Sequence, residues 1–584
     1  MADPVIDTQF VSGTVITSDW LNGVNDYVNV PRVPTADLSD TSDVTKGDAL
    51  VGVKQPFTGA VAQTQHAFNA QIINVKSFGA VGDGVADDSA ALQAAFQHGA
   101  NFGAEILIPA GTYKHNSPLL VQTTVQLSPA LSGGQLHFSD VRTVKITGQG
   151  RPKLIAGAAM TSQIQFTFNA GLNNIAPFYS SVEGIQFDGA NLATQAVFAD
   201  FCMHMDITRC SFTRLSKGIT NNGYGVAQYN YNVFNCTTGI DIQRGGDSFI
   251  AHNDFVFVDN GIGINCGTFS GNTTIISNIF SLEQATGTTV GVRLSGDASV
   301  TGAEEVRDVV IQNNEFSGLR YGVQGVAHAS VDNVYNIIIR DNHCNHFGAV
   351  VNAALVQLVR CNDVIIENNI VGNLVYPALT VTSIDLTNCE RIAVRGNKIS
   401  NTTVTPILVD GTSYSRFEQN EFNNVGTAST GNPTILTANT ATFNELYNNT
   451  VNQTSASYGV TFFFEAAGAD NNQARRNVTN QTQPYIKVGA ASLLVREEWK
   501  TAPDNTTQYY TGDVVHNTAP TLIKNISHWT CITAGAPAGF TAHGCGSGTT
   551  AQRPALGTND FGYLYRDTTT GLLIFWDGVA WQAT

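Results

Sequence analysis

From about Ile185 to Thr479 one short pattern of apolar and polar positions keeps returning: an apolar residue, two mostly polar ones, Asn, any residue, then another apolar one. It reads Tyr229-Asn-Tyr-Asn232-Val-Phe234, Ile250-Ala-His-Asn253-Asp-Phe255, Ile275-Ile-Ser-Asn278-Ile-Phe280 and Ile311-Gln-Asn-Asn314-Glu-Phe316. It continues at Asn342, Asn369, Asn397, Asn420, Asn449 and Asn477, and runs back through Cys210 to Asp188. From Asp188 the column advances by 22, 22, 21, 25, 36, 28, 27, 28, 23, 29 and 28 residues. A period of this size means a solenoid, in which each repeat buries its apolar face on its neighbours. The unit is short strand, turn, short strand. Asn tolerates a left-handed turn, and its amide can bond to the identical amide above and below, so a stacked Asn column suits a coil corner. The pattern predicts an all-β chain folded as a parallel β-helix.

Two further columns follow from the same register. Two residues before the Asn stand Arg340, Glu367, Arg395, Glu418 and Arg475, so Glu367 should lie between Arg340 and Arg395 in an outward ladder of ion pairs. Eight residues before Asn369 and Asn397 stand Cys361 and Cys389, also stacked. Ahead of the solenoid, Ser89-Ala-Ala-Leu-Gln-Ala-Ala-Phe-Gln-His98 is apolar at helical spacing and should plug its open end, since an uncovered terminal rung is an edge that invites association. Asp83, Asp87 and Asp88, with Gly82 and Gly84, are read as turn and helix-cap residues rather than calcium ligands.

Composition narrows the function. Only 13% of residues are charged and Gly numbers 55, which a repeat fold of low side-chain volume tolerates. A net charge of −16 counts against nucleic acid and against an anionic membrane surface as partners. No apolar run approaches the length of a membrane span, and Met-Ala-Asp-Pro-Val lacks the basic and apolar regions of a secretory signal, which predicts synthesis in a cytoplasm. Nine Cys without CxxC spacing read as reduced, buried small hydrophobes, with no zinc site, no other metal and no cofactor expected.

The words Lys46-Gly-Asp-Ala-Leu-Val-Gly-Val53, Ile72-Ile-Asn-Val75, Phe78-Gly-Ala-Val-Gly-Asp-Gly-Val-Ala-Asp-Asp88 and Ile106-Leu-Ile-Pro-Ala-Gly-Thr-Tyr113 come in an order that carries a resemblance. The string from Leu50 to Tyr113 resembles the neck and first coils of bacteriophage tailspike proteins, which share the pectate-lyase-like right-handed β-helix with many polysaccharide-degrading enzymes. It departs from them at Gln63-Thr-Gln-His-Ala-Phe-Asn-Ala70, where such necks carry a more charged helix. The resemblance implies a homotrimer on the virion tail, attached to a tail or baseplate protein through its N-terminus and acting on a capsule, exopolysaccharide or O-antigen of the bacterial host. The expected organisation is an anchor at 1–45, where Trp20 and Tyr27 suit docking, a neck at 46–75, the β-helix at 76–490 with a capping helix near 89–99, and a small β module at 491–584. That module holds four of the five Trp and ends in a hairpin around Asp577-Gly578. The resemblance assigns it to trimerisation or sugar contact, and its paired Trp favour packing.

No GxSxG, HExxH, Walker or CxxC motif is present, so the chemistry falls to carboxylates on the wall. Asp254 and Glu315 each follow the Asn column by one residue and stand two rungs apart, roughly 9.6 Å of backbone, near the 6.5–9.5 Å of inverting glycosidases. Glu283, five residues past Asn278, is the third candidate. The longest interval adds Asp297, Glu304, Glu305 and Asp308 as weaker ones, with Arg293 and Arg307 beside them. His252, Tyr224, Tyr321 and Arg293 are candidate sugar-binding residues, whereas Tyr229 occupies an inward column. Glycosidic hydrolysis is the favoured reaction. A lyase, a receptor-binding tailspike without catalysis and a carbohydrate esterase remain as alternatives, and a secreted pectin-type enzyme ranks below them.

Overall fold

The computed structural model describes residues 35–39, 45–122, 143–167 and 179–584, apart from 70, 201, 203, 224, 258–259, 268–269, 283–286, 296–304, 329–332, 348–352, 373–381, 427–432, 456–460, 480–482, 487–492, 495–496, 501–502, 504–512, 518–519, 521–525 and 534–538. Two compact units are present, Met1–Ile73 and Asn74–Thr584. The first holds a helix at Thr35–Ser39, an antiparallel pair of Gly52–Val53 with Gln63–Thr64, and a helix at Gln65–Asn69. Asp48 ties it together, its carboxylate bonded at 3.0 Å to His66 Nδ1 and to Asn69 Nδ2. Trp20 and Tyr27 lie outside the described residues.

Among the described residues three long sheets of 16, 15 and 14 strands run side by side, successive coils contributing one strand to each. Pairing between successive coils is parallel throughout, for example Ile275↔Ile311, Phe280↔Phe316 and Val292↔Val323. This is a parallel β-helix, wound in the right-handed sense that crossovers between parallel strands take. We call the sheet that carries Ile275 sheet 1, that of Phe280 sheet 2 and that of Val292 sheet 3.

The corner between sheets 1 and 2 is the Asn column. From Asn232 to Asn477, nine consecutive steps repeat one arrangement: the backbone N–H and the Nδ2 of each Asn donate to Oδ1 of the Asn on the next coil at 2.9–3.1 Å. Every amide is buried, so each bond satisfies groups that water cannot reach. Two details differ from the sequence expectation. The left-handed residue is the one before the Asn, as at Tyr231, His252, Ser277 and Asn313 (φ 52–59°), so the Asn supplies the ladder and its predecessor the bend. Asp188 is not in the column, because Ile185 stands opposite Cys210 and Phe187 pairs with Phe212. The wrong alignment arises because both residues sit in an alternating Ile-Gln-Phe-Asp run. Asp188 faces out and is ion-paired with Arg214 (2.5 Å) and Lys153 (3.3 Å).

Inside, Phe187, Phe212, Phe234, Phe255, Phe280 and Phe316 stack ring on ring with centroids 4.7–5.2 Å apart. Glycines of sheet 3 make room for them. A Cβ built at Gly218, Gly239, Gly263 or Gly291 would meet the facing Phe ring at 2.5–2.7 Å. One coil after Phe316 the stack gives way to Cys344, and one coil after Gly322 the glycine column ends at Leu355, so volume is exchanged across the core.

Cys361 and Cys389 stack as expected, both fully buried. Glu367 lies in register between Arg340 and Arg395, but only half the ladder forms. Arg395 Nε reaches Glu367 Oε2 at 2.7 Å, while Arg340 Nε turns to Gln312 Oε1 at 2.8 Å.

A helix at Ser89–Phe102 buries Leu92, Ala95 and Phe96. Its Gln93 amide exchanges two hydrogen bonds with the backbone of Leu120, and Gln97 donates to Gln122, so side chains take the place of a missing strand along the terminal edge of sheet 3. Asp83 accepts from the backbone of Val85 and Ala86, Asp87 from Ser89, and Asp88 from Val81 and Gly82. All three carboxylates are thereby engaged by N–H groups. A separate seven-stranded sheet spans Glu497 to Ala583. Trp529, Trp576 and Trp581 pack within it. Trp529 is buried with Nε1 on Asp560 (2.9 Å), and Trp576 meets Trp581 edge to face across the hairpin that Asp577 closes.

Candidate active site on the outer wall

Sheet 2 alternates inward and outward along each strand, so the Phe stack inside fixes what stands outside. With Phe255, Phe280 and Phe316 pointing in, the preceding residues form the outer column Val233, Asp254, Ile279, Glu315 and His343, one per coil. Asp254 and Glu315 thus share a column with half-exposed Ile279 between them, roughly 9.6 Å apart along the wall.

The two carboxyls differ in surroundings. Burial pushes the Asp254 carboxyl above the ordinary aspartate value, with no opposing charge contributing. Glu315 accepts from Asn345 Nδ2 at 2.5 Å. Asn345 reaches it because the pairing Phe316↔Cys344, Ser317↔His346 skips a residue. A β-bulge therefore puts one extra side chain beside the glutamate. Two residues before Asp254, the His252 ring stacks on Tyr231 at 5.0 Å. Both occupy left-handed corner positions and are exposed. Tyr231 also borders a cleft of about 560 Å³ lined by Arg151, Glu183, Arg209 and Val233, in which Arg209 and Glu183 are ion-paired at 2.6 Å.

The other sequence candidates go elsewhere. Glu305 and Asp308 lie at the start of a sheet 1 strand, both ion-paired with Arg307 (3.2 and 2.8 Å), and Tyr335 O–H donates to Glu305 at 2.7 Å. Tyr321 is buried in sheet 3 between Val290 and Ala354, with the Arg320 guanidinium 5.1 Å from its ring centre, so neither face is open to a sugar. Arg293 stands on the outer side of sheet 3. Glu283, Asp297, Glu304 and Tyr224 lie outside the described residues. Among the described residues no group of three or more His, Cys, Asp or Glu is placed to hold a metal ion.

Sequence reasoning missed three more carboxylates that burial disfavours as anions, Asp200, Asp206 and Asp385. It also missed the column that ends at Asp385. A signal was present: the words Gly239-Ile-Asp241, Gly263-Ile-Asn265, Gly291-Val-Arg293 and Gly322-Val-Gln324 repeat small, aliphatic, polar on every coil.

Residues 72–315 match the family described as Rhamnogalacturonase A/epimerase, pectate lyase-like. That match covers the first coils of the β-helix and ends at Glu315. Over 103 residues the chain is 39% identical to the tail spike protein of Shigella phage Sf6, a stretch covering 17% of this chain and 16% of that protein. Over 104 residues, again 17% of this chain, it is 34% identical to the non-secreted LysM effector LysM19 of Penicillium expansum and spans 8% of it. Among solved structures, the tailspike protein of E. coli bacteriophage HK620, in complex with a pentasaccharide, superposes with a TM-score of 0.54 at 12% identity, over 87% of this chain and 98% of that one. At that identity the likeness establishes the fold. The chain is a parallel β-helix protein, similar over residues 72–315 to a pectate-lyase-like family and over 103 residues to a phage tail spike.

Proposed function

We propose that this chain is a tailspike of a phage virion that binds a bacterial surface polysaccharide and cuts it by hydrolysis, with Asp254 and Glu315 as the working pair. The tail spike relative and the β-helix shared with a saccharide-bound tailspike support the first part. The observation that carries the second is the paired placement: two outward carboxyls in one column, one held towards its neutral form by burial and the other engaged by an amide. A carboxyl whose neutral form burial favours can donate to a glycosidic oxygen, and a second carboxyl can activate water on the opposite side of the sugar. Asp254 is the acid and Glu315 the base. The wall separation, near the upper end of the inverting range, leaves room for that water. Stacked Tyr231 and His252 offer flat faces beside Asp254 for a sugar ring.

Attachment to the virion through the N-terminus, and trimer formation, are parts of the same proposal. The mass of the products released from capsule or O-antigen tests the reaction. Fragments that gain one water per cut are expected. Fragments that lack the water and carry an unsaturated uronate would make the chain a lyase. Release of acetate from uncut chains would make it an esterase, and intact, unmodified chains a binding protein.

A further inference from the structure

The outer side of sheet 3 carries a polar column at a single register position: Asp241, Asn265, Arg293, Gln324, Gln357 and Asp385, one per coil. Hydrogen bonds divide it into two runs. In the first, Asp241 receives Lys217 Nζ at 2.5 Å, Asn265 Nδ2 at 2.8 Å and Gln243 Nε2 at 3.1 Å, so its charge is met. In the second, donation runs one way: Arg293 Nε to Gln324 Oε1 (3.3 Å), Gln324 Nε2 to Gln357 Oε1 (2.8 Å), Gln357 Nε2 to Asp385 Oδ2 (3.1 Å). The runs break between Asn265 and Arg293. Arg293 therefore heads a one-way chain and uses only its Nε in it.

We propose that Arg293, at this break, binds the carboxylate of an acidic sugar, so that the polysaccharide bound along sheet 3 is one that carries uronic or sialic-type acids. The inference rests on the polysaccharide reading above but not on its cleavage chemistry, since Arg293 and the Asp254–Glu315 pair stand on different sheets. Three observations support it. Burial disfavours the Arg293 cation, and among the described residues no carboxylate is ion-paired with it. A desolvated guanidinium is costly until an anion meets it, and its planar fork matches a carboxylate with two parallel bonds. Below it, Gln324 and Gln357 present one amide per coil at a spacing of ~4.8 Å, which suits the hydroxyls of successive sugar residues.

The test uses the whole protein on an array of purified acidic and neutral capsular and O-antigen polysaccharides. A bound acidic polymer is then compared with its own carboxyl-reduced form, on the wild type, Arg293→Gln and Arg293→Lys. The bound polymers are expected to be carboxylated. Carboxyl reduction should weaken wild-type binding at least tenfold, Arg293→Gln should do the same, and the two together should cost no more than either. A neutral polymer bound or cut as well as an acidic one would overturn the inference and leave the depolymerase reading standing. Equal losses on reduction in wild type and Arg293→Gln would place the carboxylate elsewhere. A lower melting temperature of Arg293→Gln with unchanged affinity would mean that Arg293 pairs with a carboxylate of its own chain. If a substituted chain fails to fold, the reduced polymer on the wild type still decides. Binding to no polysaccharide at all would overturn both readings.

Discussion

One residue separates the two most different columns of this molecule. The Asn corner from Asn232 to Asn477 is uniform, buried and bonded twice at every step. The outer column beside it reads Val233, Asp254, Ile279, Glu315, His343, with no chemical type repeated on adjacent coils. Inside, a substitution strands a group that no water can reach, so identity is enforced on each coil. Outside, parallel backbone pairing holds the coil whichever side chain projects, so the wall can be assigned to chemistry coil by coil. The Phe–Gly exchange makes the same point in the core, where a large residue on sheet 2 requires a missing one on sheet 3.

The contrast can be broken from either side. The largest effect is expected outside the core: Asp254→Asn should lower the cleavage rate about 10²- to 10⁴-fold, the usual worth of a general acid. It should not destabilise the fold. Because the folded pKa of Asp254 lies above its unfolded value, the stability this group contributes is full below the unfolded pKa and lost as pH rises through the folded one. Asp254→Asn should therefore raise the melting temperature at neutral pH and leave it unchanged near pH 3, as calorimetry at both pH values would show.

Next in size is Asn369→Ala, which removes the acceptor of the Asn342 backbone N–H and the donor to the Ile339 carbonyl, both buried. Denaturant unfolding should show a loss of about 2–4 kcal/mol. Gly263→Ala comes third, at about 1–3 kcal/mol, because its Cβ would lie 2.6 Å from both the Gly291 carbonyl and the Phe280 ring. Smallest is Arg395→Ala. Its ion pair with Glu367 is half exposed, so its loss should cost less than about 1 kcal/mol and less still in high salt.

The same contrast explains what could be read from the chain alone. The Asn column and the cysteine stack were legible because packing repeats them, and each repeat checks the last. Asp188 was misplaced where the column passes from Asn to Cys210 and Ile185, so that only an alternating run was left to align. Asp254 and Glu315 could be placed in one column from the register, but not Asn345, because a bulge shifts the register without marking the sequence. The sheet 3 column keeps a register of its own, independent of the Asn corner. Its word lies on a different sheet, changes its polar residue from Asp241 through Asn265 and Arg293 to Gln324, and loses its Gly at Leu355. Burial of individual carboxyls such as Asp200 and Asp206 depends on neighbours many residues away, which no local pattern encodes.

The most direct measurement is proton NMR of the anomeric signal of newly released reducing ends during digestion of a host polysaccharide, with Asp254→Asn and Glu315→Gln as controls. Two carboxyls at this separation predict inverted configuration at first appearance, abolished in both variants. Retained configuration, or cleavage that survives either substitution, would contradict the assignment of this wall column as the active site.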